Sequence, residues 1–165
     1  MKKIKLTQGQ YALVDDEDFE DLNKYKWIAQ YSSCTKTYYV KRHSHRECGK
    51  PKHLQMHRVI MNAKKGQVID HINGNTLDNR KENLRIATYS QNRGNSKRYR
   101  NNTSGYKGVS WNKNRQRWEA CIGYQNKYIY LGLYTTKEEA ALAYNEAAKK
   151  YFGEFANLNY DDNLR

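Results

Sequence analysis

The chain has 165 residues and a net charge of +13, from 30 Lys and Arg against 17 acidic side chains, and a mean hydropathy of −1.12. That length allows one or two small domains, and that charge asks for a polyanionic partner, nucleic acid first, without saying anything of the fold. Fifteen Tyr and three Trp exclude a disordered basic tail, no apolar run approaches a membrane span, and the start "MKKIKLTQGQYALVDDEDFE" has no apolar stretch of the kind a signal peptide needs.

Residues 1–55 read as a small β-rich module that supports or binds nucleic acid. "YALV", "KWIAQYSS" and "TYYVKRH" alternate as strands of an antiparallel sheet with one short helix. Between them, "DDEDFEDLNKY" is an acidic turn, expected to face away from a polyanion. Cys34, Cys48 and Cys121 are scattered, which argues against a disulfide framework and suits a reducing compartment. Cys34, His43, His45 and Cys48 do not follow a zinc-finger spacing, and their segment reads as a basic hairpin or loop.

Residues 56–96 form the second module. "QVIDHI" is a short β-rich run ending near His71, "NGNTLDNRKEN" a polar loop of turn formers, and "LRIAT" a second strand. Thr88-Tyr89-Ser90-Gln91 fits a capping box that opens a helix, with Asn92 in its first turn. The order is strand, loop, strand, helix. Asn83 follows His71 by twelve residues and Asn92 follows Asn83 by nine. A carboxylate, an imidazole and two carboxamides so arranged can hold one hard cation and activate one water.

The Asp70-His71 pair, both spacings, the "DNRKENLR" context and "MHRVIM" upstream resemble the H-N-H nuclease family and its ββα-metal fold, in the variant that ends on Asn. The resemblance implies that Asp70 and Asn92 bind one divalent ion per active site, Mg²⁺ or Mn²⁺. It makes His71 the general base, and Asn83 the residue that hydrogen-bonds loop backbone or His71 and fixes its orientation. His57 is expected to pack beside the site, and Arg58 to pack or to touch a phosphate.

Residues 93–104, "RGNSKRYRNNTS", carry four basic and no acidic side chains. They read as a linker whose Arg93, Lys97, Arg98 and Arg100 lie along a DNA backbone.

In residues 105–160, "GYKGVSWNK", "QRWEACIG" and "KYIYLGLY" are three alternating runs separated by "NKNR" and "YQN", a three-stranded antiparallel meander. "TTKEEAALAYNEAAKKYFG" is a helix capped by Thr135 or Thr136, with Ala140, Ala143, Tyr144, Ala147 and Tyr151 as its inner stripe and Gly153 as its stop. Tyr106, Gly108, Val109, Trp118, Ala120, Ile122, Leu131, Gly132, "EEAALAY" and "FANLNY" resemble the ethylene-response-factor (Apetala-type) DNA-binding domain. The resemblance implies that the sheet face away from the helix enters a major groove. Lys107, Ser110, Asn112, Arg115, Arg117, Tyr128 and Tyr130 then face the bases. Ser110, Cys121, Gly123 and Tyr128 stand where plant domains carry Arg, so plant target preferences do not transfer. Trp118 is expected in the core or at its edge, and Trp111 in either setting.

The fold class is therefore α+β: a small N-terminal antiparallel sheet, a ββα-metal core, a basic linker, then a three-stranded antiparallel sheet on one helix. The pairing resembles small homing endonucleases of phages and mobile introns. It implies a metal-dependent, site-specific DNA endonuclease that nicks double-stranded DNA as a monomer in the cytoplasm of a bacterial or phage-infected cell. The alternative is a DNA-binding regulator with an inactive core. Deleting residues 105–165 is expected to leave a folded, metal-binding core that has lost most of its site preference.

Overall fold

The computed structural model describes residues 1–33, 35–44, 53–99 and 101–159. It is α+β throughout and divides into two compact units, Met1–Ala87 and Thr88–Arg165. The division falls inside the 56–96 span expected for the nuclease core. Cys34, His45 and Cys48 lie outside the described residues, as does Arg100. Among the described residues no helix is long and apolar enough to cross a membrane.

The first unit opens with a hairpin of β1 (Lys2–Lys5) and β2 (Tyr11–Val14). The basic start is thus a strand: Ile4 alternates with lysines and is buried while they stay in water. The acidic segment is a helix, α1 (Asp16–Asn23), rather than a turn. Asp16, Glu17 and Asp18 occupy its first turn, where the helix dipole favours negative charge. Next come β3 (Ile28–Ser32), β4 (Thr37–His43) and β5 (His53–Gln55), an antiparallel sheet in that order. Ile4, Leu6, Ala12, Val14, Leu22, Trp27, Ala29, Val40 and Met56 form one core cluster. The Trp27 indole Nε1 donates to the Leu22 carbonyl at 2.8 Å, so the buried ring keeps its polar end satisfied.

A short helix, α2 (Met56–Ile60), leads to the antiparallel pair β6 (Val68–His71) and β7 (Leu84–Ala87). The loop joining them is pinned by elements far away in sequence. Leu13 N donates to the Leu77 carbonyl at 2.9 Å, and Asn79 N donates to the Leu13 carbonyl at 2.8 Å. Asp15 Oδ2 accepts from Lys81 N at 2.8 Å, and the Thr37 and Thr76 hydroxyls meet at 2.9 Å. The N-terminal module therefore supports this loop directly.

In the second unit α3 (Tyr89–Asn95) begins with the capping box read from the sequence. Thr88 Oγ1 accepts from Gln91 N at 3.2 Å, and Gln91 Oε1 accepts from Thr88 N at 2.8 Å. Strands β8 (Val109–Asn112), β9 (Arg117–Tyr124) and β10 (Lys127–Tyr134) make the expected meander, with β9 central. Helix α4 (Lys137–Phe152) lies on one face and is capped by Thr136 with Glu139. Val109, Ala120, Ala140 and Ala141 form the core there, with Trp118, Leu131 and Tyr134 packed against it. Trp111 is more exposed and meets Trp118 edge-on at 5.1 Å.

The buried stripe of α4 is wider than expected. Ala141, Asn145, Ala148 and Phe152 are buried, while Ala143 and Tyr151 are half-buried. A polar Asn145 is tolerated because its Oδ1 accepts from Asn159 N at 2.8 Å, tying down the segment after the helix. Gly108 has φ +73°, and a Cβ there would lie 2.1 Å from the Tyr144 ring and 2.6 Å from the Cys121 carbonyl. Gly108→Ala combines backbone strain with overlap. It is expected to destabilise this unit by about 2–4 kcal/mol, seen as a lower Tm in circular dichroism; an unchanged Tm would contradict that packing.

The start of the expected linker is docked rather than solvated. Lys107 Nζ donates to the carbonyls of Gly94 at 2.6 Å and Ser96 at 2.7 Å. Asn157 donates from its backbone N to the Gly94 carbonyl at 3.2 Å and from Nδ2 to the Asn95 carbonyl at 3.1 Å. Gly94 lies against Phe152 so closely that a Cβ would sit 2.6 Å from the ring. These contacts hold α3 as part of the second unit.

Candidate functional site

Two local surfaces matter, one in each unit. In the first, His71 ends β6 opposite Leu84, and Asp70 pairs with Arg85 across the ladder. Arg85 Nε donates to Asp70 Oδ2 at 2.9 Å, in a place where both Asp70 and His71 are buried. A buried carboxylate needs such a charge-assisted partner.

The loop after His71 closes on itself through Asn83, which is buried at the end of a 3-10 turn (Lys81–Asn83). Asn83 Oδ1 accepts from Asn73 N at 2.9 Å, and its Nδ2 donates to the Asp78 carbonyl at 2.8 Å. Its carboxamide thus clamps two points of loop backbone. Asp78 is buried and receives Arg80 Nε at 2.8 Å, Arg80 Nη2 at 2.7 Å and Asn73 Nδ2 at 3.0 Å. The Arg80 guanidinium holds the Asp78 carboxyl below its ordinary range. Asp78, Asn79, Arg80 and Arg85 carry the architecture of the loop, yet their sequence signal is only that of turn formers and a strand residue.

His57 packs on His71 edge to face, ring centroids 5.1 Å apart. Burial, helped by the charges of His71 and Arg58, pushes the His57 pKa down to about 3. Burial also lowers that of His71, opposed by hydrogen bonding to Asn79 and by the charges of Asp70 and Asp78. Below pH ~6.5 the unfolded chain takes up protons at these imidazoles that the folded chain refuses, so stability falls as pH drops from ~6.5 towards 3. For His57 alone the loss between pH 6.5 and 4.5 is expected to reach roughly 2–3 kcal/mol. Thermal melts across that range should show a shallower pH slope in His57→Met; an equal slope would remove His57 from the account.

Arg58 is engaged by the backbone of the loop after its helix. Its Nη1 donates to the Gln67 carbonyl at 2.6 Å, and its Nη2 to those of Lys64 at 2.8 Å and Ala63 at 3.3 Å. These bonds hold the guanidinium on the loop before β6, which is the packing role of the two expected. His43, at the end of β4, meets the His53 ring at 4.6 Å.

Asn92 stands in the second unit as the fourth residue of α3, half-buried. The carboxylate of Asp70 and the carboxamide of Asn92 are each oxygen donors of the kind that hard divalent cations take. Among the described residues no group of three or more His, Cys, Asp or Glu gathers; a set of one carboxylate and one carboxamide is not of that kind.

The second surface is the outward face of the β8–β9–β10 sheet. Ser110, Arg115, Arg117, Tyr128 and Tyr130 are exposed, with Tyr128 at 75% and Tyr130 at 57%. Asn112 is half-buried, its Nδ2 donating to Glu119 Oε2 at 2.7 Å and its Oδ1 accepting from Arg115 N at 3.1 Å. Hydrogen bonding to Cys121 and burial push the Tyr128 hydroxyl up to about 12, which keeps it a donor at neutral pH. Lys107 does not belong to this face. It is spent on the carbonyls of Gly94 and Ser96, and burial, with the Arg93 charge, pulls its pKa down to about 8. Of the arm residues, Lys97 is exposed, and Arg98 Nη1 donates to the Gly105 carbonyl at 2.5 Å.

Comparison with known proteins gives the same two parts. Residues 54–93 match the HNH endonuclease family and residues 104–154 the AP2 domain. An uncharacterized HNH endonuclease of Acanthamoeba polyphaga mimivirus is 31% identical over 161 residues, which is 94% of this chain and 78% of that protein. Protein 3.8 of Escherichia phage T7 is 37% identical over 94 residues, 57% of this chain and 77% of that protein. An AP2-like ethylene-responsive transcription factor of Arabidopsis thaliana is 52% identical over 60 residues, 35% of this chain. The chain spans 17% of the length of that plant factor.

Proposed function

This chain belongs to the HNH endonuclease family, and from that premise we propose that it is a site-specific DNA endonuclease that nicks duplex DNA with one active site per chain. The observation that carries the reading is the buried Asp70-His71 pair at the end of β6, beside a loop locked by Asn83. The lowered pKa of His71 leaves its ring unprotonated at neutral pH, so the imidazole can take a proton from the attacking water. The water oxygen bonds to phosphorus, the bond from phosphorus to the 3′ oxygen breaks, and that oxygen leaves to become a hydroxyl. Asn83 keeps the loop, and with it His71, in place. Asp70 and Asn92 would hold one Mg²⁺ or Mn²⁺. Bound there, the ion supplies charge stabilisation for the phosphate and the leaving oxygen.

A site of this kind contacts phosphates and carries little sequence information. Sequence choice is assigned to the outward sheet face of the second unit, through Ser110, Asn112, Arg115, Arg117, Tyr128 and Tyr130, since a major groove admits a small sheet or ribbon. Lys97, Arg98 and Arg100 are assigned to backbone phosphates. The test is incubation of the full chain with supercoiled plasmid and Mg²⁺, with and without chelator. Nicked circles that need the metal are expected; a salt-sensitive gel shift without any cleavage would make the chain a regulator instead.

A further inference from the structure

We propose that Arg93 is a base-reading residue of the sheet, delivered from α3 onto β9 at a position where the strand itself has no side chain. The proposal rests on the reading of the outward sheet face as the DNA surface. Ala120 of β9 is buried in the core under α4 and Ile122, two residues on, is buried too, so by strand alternation Cys121 and Gly123 point the other way, Cys121 being buried there as well. Gly123 pairs with Tyr128 and Cys121 with Tyr130, so these four share the outward face.

None of the four carries a charge. β8 has ended there, its register stopping at Val109 opposite Ala120. The space beside this half of β9 is taken by α3, whose Ser90 Oγ accepts from Gln125 N at 3.2 Å. A Cβ built on Gly123 would lie 3.4 Å from Arg93 Cζ, 3.5 Å from Nη2 and 3.7 Å from Nη1. Those near-equal distances lay the guanidinium flat over the glycine. Arg93 is itself exposed, and the Gly123 it covers pairs across the ladder with the exposed Tyr128. A planar five-donor fork held on a groove-facing sheet is the group that gives two hydrogen bonds to the edge of a guanine. Its role therefore differs from that of Lys97 and Arg98, which follow it in the chain. The seat depends on Gly123: any larger side chain there contests the space of the guanidinium.

The test is selection of bound duplexes from a pool randomised over about two helical turns, using the full chain in chelator so that nothing is cut. The wild-type chain is expected to enrich a motif. Arg93→Ala should lose preference at one G·C pair by roughly 5- to 100-fold and keep the rest of the motif. Arg93→Lys should keep overall affinity but lose the same preference, because it retains the charge without the fork. Gly123→Val, which leaves Arg93 in the chain, should show the same loss. If the wild-type chain enriches a motif and Arg93→Ala or Arg93→Lys enriches it unchanged, Arg93 is not a reader, and the assignment of the sheet stands. If the wild-type chain enriches no motif, the assignment of the sheet and this proposal fall together.

Discussion

His71→Ala is expected to slow metal-dependent nicking of supercoiled plasmid by about 10²–10⁴-fold while leaving the gel shift on duplex DNA intact. The imidazole is the only group assigned to accept the proton of the attacking water, and its removal takes away nothing that holds a phosphate. The substitution also leaves a buried gap against His57, so a melt must accompany the assay. A folded, DNA-binding variant that no longer cuts is the expected outcome. Cleavage at the parental rate would remove His71 from the chemistry, and with it the reading of the Asp70-His71 pair. Asp70→Ala and Asn92→Ala should differ in kind. They are expected to raise the Mn²⁺ concentration needed for cutting, and direct titration of Mn²⁺ binding by calorimetry reads that effect without turnover.

Ending the chain after Ser104 is expected to abolish cleavage, not merely to broaden it. From the sequence, residues 56–96 read as a core able to stand without the C-terminal domain. The structure argues otherwise through α3. This helix has seven residues, well under the roughly 12–15 at which an isolated helix holds in water. Its carbonyls at Gly94 and Asn95 are met by Lys107 and Asn157, and Gly94 packs on Phe152. Truncation removes all three of these residues, so the helix that presents Asn92 loses its seat. The measurement is nicking of plasmid DNA at low salt, where loss of site preference alone would leave nonspecific cutting. If the shortened chain cuts random DNA at the parental rate, the docking of α3 has no part in activity. Lys107→Met is the finer version: it keeps the whole domain but removes the clamp on Gly94 and Ser96, and should cost part of the rate while Ser110, Arg117 and Tyr130 stay in place.

Both of these results depend on features that differ in how far they can be read without the fold. Strand alternation, both helix caps and the polar loop of turn formers are properties of residues within a few positions of one another. Thr88 finds Gln91 three residues on, and Thr136 finds Glu139 at the same spacing, so local chemistry alone places α3 and α4. The Asp-His pair and its distances to Asn83 and Asn92 are also written in one short stretch, and family resemblance attaches a role to each.

What a basic side chain does is not local. Arg58, Lys107 and Lys97 look alike as charges in a basic chain. Arg58 is consumed by loop carbonyls, Lys107 by the end of α3, and Lys97 is left in water. The same holds for the acidic run: Asp15 reaches Lys81 across 66 positions and so helps fix the loop after His71. Composition, spacing and capping were enough to read the charge that asks for a polyanion, the strands and helix caps, and the family resemblances of residues 56–95 and 105–160. Tertiary packing decided which unit owns α3, which basic side chains stay exposed, and which ring His57 lies on. The physical reason is that a hydrogen bond or ring contact depends on separation in space, and for these groups the partner is set by the folded chain and not by their neighbours in sequence.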